Sequence, residues 1–224
     1  MNYKSILNLI GLLLAIFSFA FIPPLIVTFI YKEPLSEIFL YSFLFLISLG
    51  VLMWFISRQK GLPLNISDGF IITTMFWIVL ACAGSIPFYF FGLSFNDAIF
   101  ESVSGITTTG ATLIVGLDDL PKSLLLYRQL LQWIGGMGLI ILAVAVMPAL
   151  GIGGSQLYKM ELPGSHGNQK LTPKITDSAK ALWKIYFGLT LACALLYILS
   201  GMDIFDAIAH SLSTVAGGGF STHD

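Results

Sequence analysis

The stretches FNDAIFESVSGITTTGAT (residues 95–112) and IFDAIAHSLSTVAGGGFS (204–221) are one device written twice. Asp97-Ala98-Ile99 aligns with Asp206-Ala207-Ile208, Ser102 with Ser211, Ser104 with Ser213 and Gly110 with Gly219; 206 − 97 and 219 − 110 both equal 109. Each copy is too short and too polar to span a bilayer, yet each follows a long apolar run and ends in Gly or hydroxyl-bearing residues. A segment that enters a membrane, turns at Gly and returns exposes backbone carbonyls. That is tolerated at membrane depth only where the backbone is buried in protein or lines a water-filled path. Carbonyls along such a path can replace the hydration shell of a cation. The repeat predicts ion permeation.

Composition agrees. Of 224 residues, 56% are hydrophobic and 10% charged, with a mean hydropathy of +0.88; a soluble domain carries about 25% charged residues. Runs 5–31, 38–57, 69–96 and 129–158 contain no Asp, Glu, Lys or Arg, and 185–202 is a shorter run of the same kind. About 20 apolar residues cross the hydrocarbon, so five full spans are expected in a multi-pass, all-α membrane protein. The first is too long for a signal peptide and no small-residue cleavage site follows it. Lys4, Arg58, Lys60, Lys159, Lys170, Lys174, Lys180 and Lys184 share one side if the N-terminus is cytoplasmic, leaving Lys32, Lys122 and Arg128 outside. This positive-inside bias requires 95–112 to enter and leave on the outer face. Cys82 and Cys193 lie inside apolar runs and read as packing residues rather than a disulfide. The net charge of −1 says nothing about partners; the apolar spans imply membrane lipid, and no nucleic acid is expected.

Four regions follow. Residues 1–60 form a transmembrane hairpin whose first helix is kinked or unwound by Pro23-Pro24. Residues 61–158 form a span, a half-helix with an extended tail, and a return span that has Pro121 in its first turn and ends near Pro148 and the Gly cluster 151–154. Residues 159–178 are a polar cytoplasmic connector. Residues 179–224 repeat the span, half-helix and tail, without a return helix. Leu80-Ala81-Cys82-Ala83 is echoed by Leu191-Ala192-Cys193-Ala194, which carries the repeat back into the preceding spans.

Ser94 and Asp203 are cap-type residues, each followed three positions later by an acid, Asp97 or Asp206, which suits the positive end of a helix dipole. The opposite end of each half-helix, aimed into the membrane, favours a cation. The tails Thr107-Thr108-Thr109-Gly110-Ala111 and Ala216-Gly217-Gly218-Gly219-Phe220 contain no carboxylate. Neutral oxygens suit a weakly hydrated monovalent ion, because Ca²⁺ and Mg²⁺ sites normally include carboxylates.

The strings SGITTTGAT (104–112), YRQLLQWIGGMGLIILAVAVMPALGIGG (127–154) and AGGGFSTHD (216–224) resemble the Trk/Ktr/HKT superfamily of potassium transporters, and most of all its bacterial Trk uptake branch. The resemblance covers essentially the whole chain. It implies four potassium-channel-like span–pore-helix–span units around one pore, with K⁺ as transported ion, no cofactor and no enzymatic activity. Thr108, Thr109 and Gly110 would be the potassium filter of one unit, and Gly217, Gly218 and Gly219 that of the next. It also implies the bacterial inner membrane, a homodimer and a cytoplasmic nucleotide-binding regulatory subunit. Gly217 departs from the larger apolar residue usual there, and the second unit is incomplete. Two quarters of a ring do not enclose an ion, so the expectation is an N-terminal portion of a transporter, from a truncated or interrupted coding sequence, that does not conduct alone.

The remaining polar residues have plainer readings. Glu101 and His210 occupy one aligned position, which suggests hydrogen-bonded packing behind the tails over the functional role that intramembrane charges invite. Arg128 anchors the return helix beside Tyr127. Gly135, Gly136 and Gly138 form a small-residue face against the pore helix. Asp118 and Asp119 could raise the local cation concentration or simply be solvated, His166 reads as a solvated loop residue, and His223-Asp224 lacks the third partner that a catalytic or metal site would need. Two rival functions are a broken-helix secondary carrier for another monovalent cation such as sodium, and an intramembrane enzyme using His210 and Glu101. The carrier calls for inverted repeats, but these copies run in the same direction. The enzyme needs an acid and a base within reach, but here they replace each other at one position.

Overall fold

The computed structural model describes residues 3–57, 66–149 and 171–224, and every α- or 3-10 element among them is helical, with no strand. Helix α1 (Tyr3–Ser18) passes through a 3-10 turn (Phe19–Phe21) into α2 (Ile22–Tyr31), which turns back into α3 (Ser36–Ile56). The irregular turn sits just before the two prolines because Pro23 offers no N–H and its ring crowds the carbonyl four residues back, at Phe19. The expected irregularity takes the form of this 3-10 turn, on the N-terminal side of the prolines. α1 and α3 cross backbone to backbone: a Cβ on Gly50 would lie 2.6 Å from both the Ala15 nitrogen and the Gly11 oxygen. Small residues permit that approach in a lipid setting, where apolar burial alone gives little drive to associate.

α4 (Ile66–Gly84) breaks at Ser85 and continues as α5 (Ile86–Phe91), with Pro87 in the first turn. Next come α6 (Phe95–Ile106), a tail, a 3-10 turn (Leu117–Asp119) and α7 (Lys122–Ala149). α8 (Leu171–Leu199) and α9 (Ile204–Ala216) follow. α8 begins earlier than the span predicted at 179, so part of the expected connector is helical. Pro173 sits in its first turn, where a missing N–H breaks no helical bond. The turn 58–65, the Gly cluster 151–154, His166 and the connector from 159 to 170 lie outside the described residues.

Among the described residues, four helical stretches are long and apolar enough to cross a membrane: Ile6–Tyr31, Ser36–Ile56, Ile71–Phe91 and Lys180–Leu199. The fifth expected span, 129–158, overlaps α7 as far as Ala149, and its remainder lies outside the described residues. α6 and α9, at 12 and 13 residues, are too short to cross. Cys82 and Cys193 are free, as expected, but Cys82 is exposed on its helix rather than packed.

Tyr127 of α7 joins the hairpin to the rest. Its ring meets Phe21, Phe39 and Phe88 at 5.6, 5.6 and 5.3 Å between centroids, and its hydroxyl donates to the Gly84 carbonyl at 2.8 Å. The hairpin also supplies a helix cap. Glu33 accepts from the Lys122 and Ser123 N–H groups at 2.7 and 3.1 Å, satisfying two free donors at the start of α7. Pro121 stands just before this helix, not inside its first turn, with its carbonyl accepting from Leu124 and Leu125. α8 is attached through Tyr186, whose hydroxyl donates to the Trp133 carbonyl, and through Thr190, which accepts from the Trp133 indole; both bonds are 3.0 Å.

Candidate functional site

α6 and α9 begin as their sequences require. The Ser94 hydroxyl accepts from the Asp97 N–H at 3.2 Å and donates to the Asp97 carboxylate at 2.7 Å, and Asp203 accepts from the Phe205 N–H at 3.0 Å. They also end alike. Thr109 N–H reaches Ser104 O and Thr108 N–H reaches Gly105 O; Gly218 N–H reaches Ser213 O and Gly217 N–H reaches Thr214 O, all between 2.9 and 3.0 Å. This is the Schellman pattern, which needs a left-handed residue just past the helix. That residue is Thr108 (φ 56°) in one copy and Gly217 (φ 69°) in the other. Two positions on, Gly110 (φ 77°) and Gly219 (φ 83°) are left-handed as well. The departure at Gly217 thus falls where its aligned threonine adopts the same unusual backbone, and a Cβ there would meet nothing within 4 Å.

The two tails touch. A Cβ on Gly110 would collide with the Gly218 carbonyl oxygen, so glycine is required there by contact as well as by φ. The six predicted residues Thr108, Thr109, Gly110, Gly217, Gly218 and Gly219 therefore lie on adjacent tails.

Behind them stands one face of α7. Arg128, Gln132 and Gly135 follow the i, i+4, i+7 spacing of a single helical stripe. A Cβ on Gly135 would run into the Ile106 carbonyl at the end of α6; one on Gly136 would lie 2.8 Å from the Tyr186 hydroxyl and 3.2 Å from Ala216 at the end of α9. Gly138 has only ordinary contact, 3.5 Å, with Phe76. The predicted small-residue face thus serves both half-helices through two of its three glycines. Gln132, fully buried, accepts from the Phe220 N–H at 3.1 Å and packs flat on Gly218.

Arg128 differs from its reading as an outer anchor, whereas Glu101 packs behind the tails as expected. Arg128 and Glu101 are both fully buried, 2.7 Å apart. Arg128 therefore drops out of the count of outer loop charges, because it is neutralised inside the protein. Removing one partner of such a pair leaves an uncompensated charge and costs about 3–5 kcal/mol. The Thr112 hydroxyl donates to Glu101 at 3.0 Å and accepts from Arg128 Nη2 at 2.9 Å; Arg128 Nη1 donates to the Ser221 carbonyl at 3.3 Å. The guanidinium also lies 4.4 Å from the centroid of the Phe220 ring. At the aligned position His210 Nε2 is 3.4 Å from the Ser221 hydroxyl and Nδ1 is 2.9 Å from the Asp206 carbonyl. Packing behind the tails thus accounts for both residues.

At the exposed rim, His223 contacts Asp118 through Nδ1 and Asp206 through Nε2, the latter at 3.2 Å, while Asp224 accepts from the Leu117 N–H at 3.0 Å. Asp118 and His223 are paired rather than simply solvated. Hydrogen bonds to Asp118 and then Asp206 raise the His223 pKa. Burial pushes Asp206 up, but hydrogen bonds from Thr222 and His223, with the charges of His223 and His210, outweigh it and hold its pKa below the usual value.

Sequence reasoning missed Gln132 and Glu33. Gln132 was detectable as an amide in an apolar run, four residues after the one cation of that helix face. Glu33 carries no local signal, because the helix that it caps starts 89 positions later.

Two short capped helices thus stand among membrane-length helices, and their glycine tails meet in front of a buried ion pair. The chain belongs to the TrkH family, described as cation transport protein, whose model matches residues 35–224. Relatives include the Trk system potassium uptake protein TrkH of Vibrio parahaemolyticus, 52% identical over 100% of this chain and 47% of the relative. The Escherichia coli K12 proteins TrkH and TrkG are 48% and 44% identical, covering 47% and 46% of their lengths and 100% and 99% of this chain. The crystal structure of the potassium transporter TrkH from Vibrio parahaemolyticus superposes with a TM-score of 0.87 at 48% identity, over 100% of this chain and 45% of that one. The chain spans a little under half the length of these relatives.

Proposed function

We propose that the chain supplies part of a potassium-uptake pathway in the bacterial inner membrane, in which Thr108, Thr109 and Gly110 form one quarter of the filter and Gly217, Gly218 and Gly219 the next. The observation carrying this reading is the contact of Gly110 with Gly218 between two left-handed, carboxylate-free tails that leave identical helix ends. The relatives' names supply the ion. Residues 61–158 and 179–224 are successive units, α6 and α9 are re-entrant from the outer face, and the N-terminus is cytoplasmic. The resemblance further supports a homodimer and a cytoplasmic nucleotide-binding partner. In the full-length protein, Gly110→Ser should sharply lower the preference for rubidium over sodium in uptake while insertion continues, because its side chain meets the Gly218 carbonyl. Unchanged preference with normal insertion removes residues 107–112 from the filter.

A further inference from the structure

Arg128 is the one side chain among those described whose guanidinium bonds to both tails: Nη2 to the Thr112 hydroxyl in the first and Nη1 to the Ser221 carbonyl in the second, with Phe220 of the second tail beneath it. Its remaining edge is taken by Glu101, which also accepts from Thr112 and, at 3.4 Å, from the Leu113 N–H. A buried ion pair is a poor source of stability compared with apolar packing, so stability alone does not explain the fork. A planar guanidinium with donors in fixed directions, however, sets the spacing of whatever it bonds. The aligned pair His210–Ser221 joins half-helix to tail within one unit and reaches no other tail among the described residues. Arg128 thus bonds both tails, whereas its counterpart pair bonds only its own.

We propose that Arg128, oriented by Glu101, is a positioning residue for ion discrimination: it fixes the distance between the first and second tails, and so the spacing of their oxygens. This rests on the tails' being filter segments. Positioning differs from charge compensation, since a lysine at 128 would still neutralise Glu101 but cannot bond both tails at once.

The test uses the full-length protein in membrane vesicles, with rubidium and sodium uptake measured on the same preparation. Arg128→Lys should insert in normal yield and lose about tenfold in rubidium-over-sodium preference, the factor that ~1.4 kcal/mol of lost discrimination produces. Thr112→Val, which removes the shared hydroxyl without unpairing a charge, should insert normally and lose preference in the same direction. If Arg128→Lys does not insert, Thr112→Val alone decides. Wild-type preference in whichever variant inserts overturns the proposal. Gly110→Ser is the control: a loss of preference there with none at 112 or 128 rejects the positioning role alone, whereas no loss at 110 rejects the filter reading beneath it.

Discussion

Gly135 offers a test in which the sign of the effect decides. In an exposed helix, Gly→Ala should stabilise by about 1 kcal/mol. Here the new methyl meets three backbone atoms of Ile106, colliding with the carbonyl oxygen and lying 2.6 and 3.0 Å from the carbonyl carbon and Cα. None can rotate away, since all belong to the last turn of α6, and overpacking of this kind costs about 1–3 kcal/mol. The net expectation for Gly135→Ala is loss of the helix gain and destabilisation of up to about 2 kcal/mol. Gly138→Ala, one turn on, meets only the Phe76 ring at 3.5 Å and should keep most of the helix gain. The two variants should therefore differ by about 1–3 kcal/mol, with Gly135→Ala the less stable. Denaturant unfolding of the purified full-length protein, followed by tryptophan fluorescence, reads the difference. Because α7 can yield only by moving off the end of α6, Gly135→Ala should also lower the rubidium-over-sodium preference. If Gly135→Ala gains stability as Gly138→Ala does, α7 does not pack on the α6 terminus and the account of that face is wrong.

The cap from Glu33 predicts that Glu33→Ala destabilises by about 1 kcal/mol, the usual value of a lost helix cap, with Glu33→Gln milder; equal stability of all three in the same unfolding assay removes the hairpin from the support of α7. The rim contacts predict a pH response. The His223 pKa is raised, so its contribution is complete below the ordinary value of about 6.5 and lost as pH rises through the raised one. Asp206 is lowered, so its part is present above about 3.9 and lost as pH falls through the depressed value. With Asp119→Cys in a Cys82→Ala, Cys193→Ala background, the labelling rate divided by that of a free thiol at the same pH, which removes the thiolate effect, should be higher at pH 9 than at pH 6. His223→Gln should abolish that difference, and a pH response surviving it would place the switch elsewhere.

The span pattern, the two half-helices and their caps were legible in the sequence because each depends on neighbours within a few residues: charge-free runs of membrane length, a cap three positions before an acid, a glycine where the helix must turn left-handed. The repeat also made the tails legible, because the offset of 109 ties Gly110 to Gly219 without any structure. Which tail atoms meet was a different matter. Gly110 is opposed not by its aligned partner but by the Gly218 carbonyl. Arg128 read as an outer anchor because its sequence neighbours suggest an interface, and only the fold brings Glu101, Thr112 and Ser221 around it from 27, 16 and 93 positions away. Local interactions are written in adjacent letters. The burial of a charge depends on which distant backbone atoms surround it, and that was settled by the packing of α7 against both half-helices.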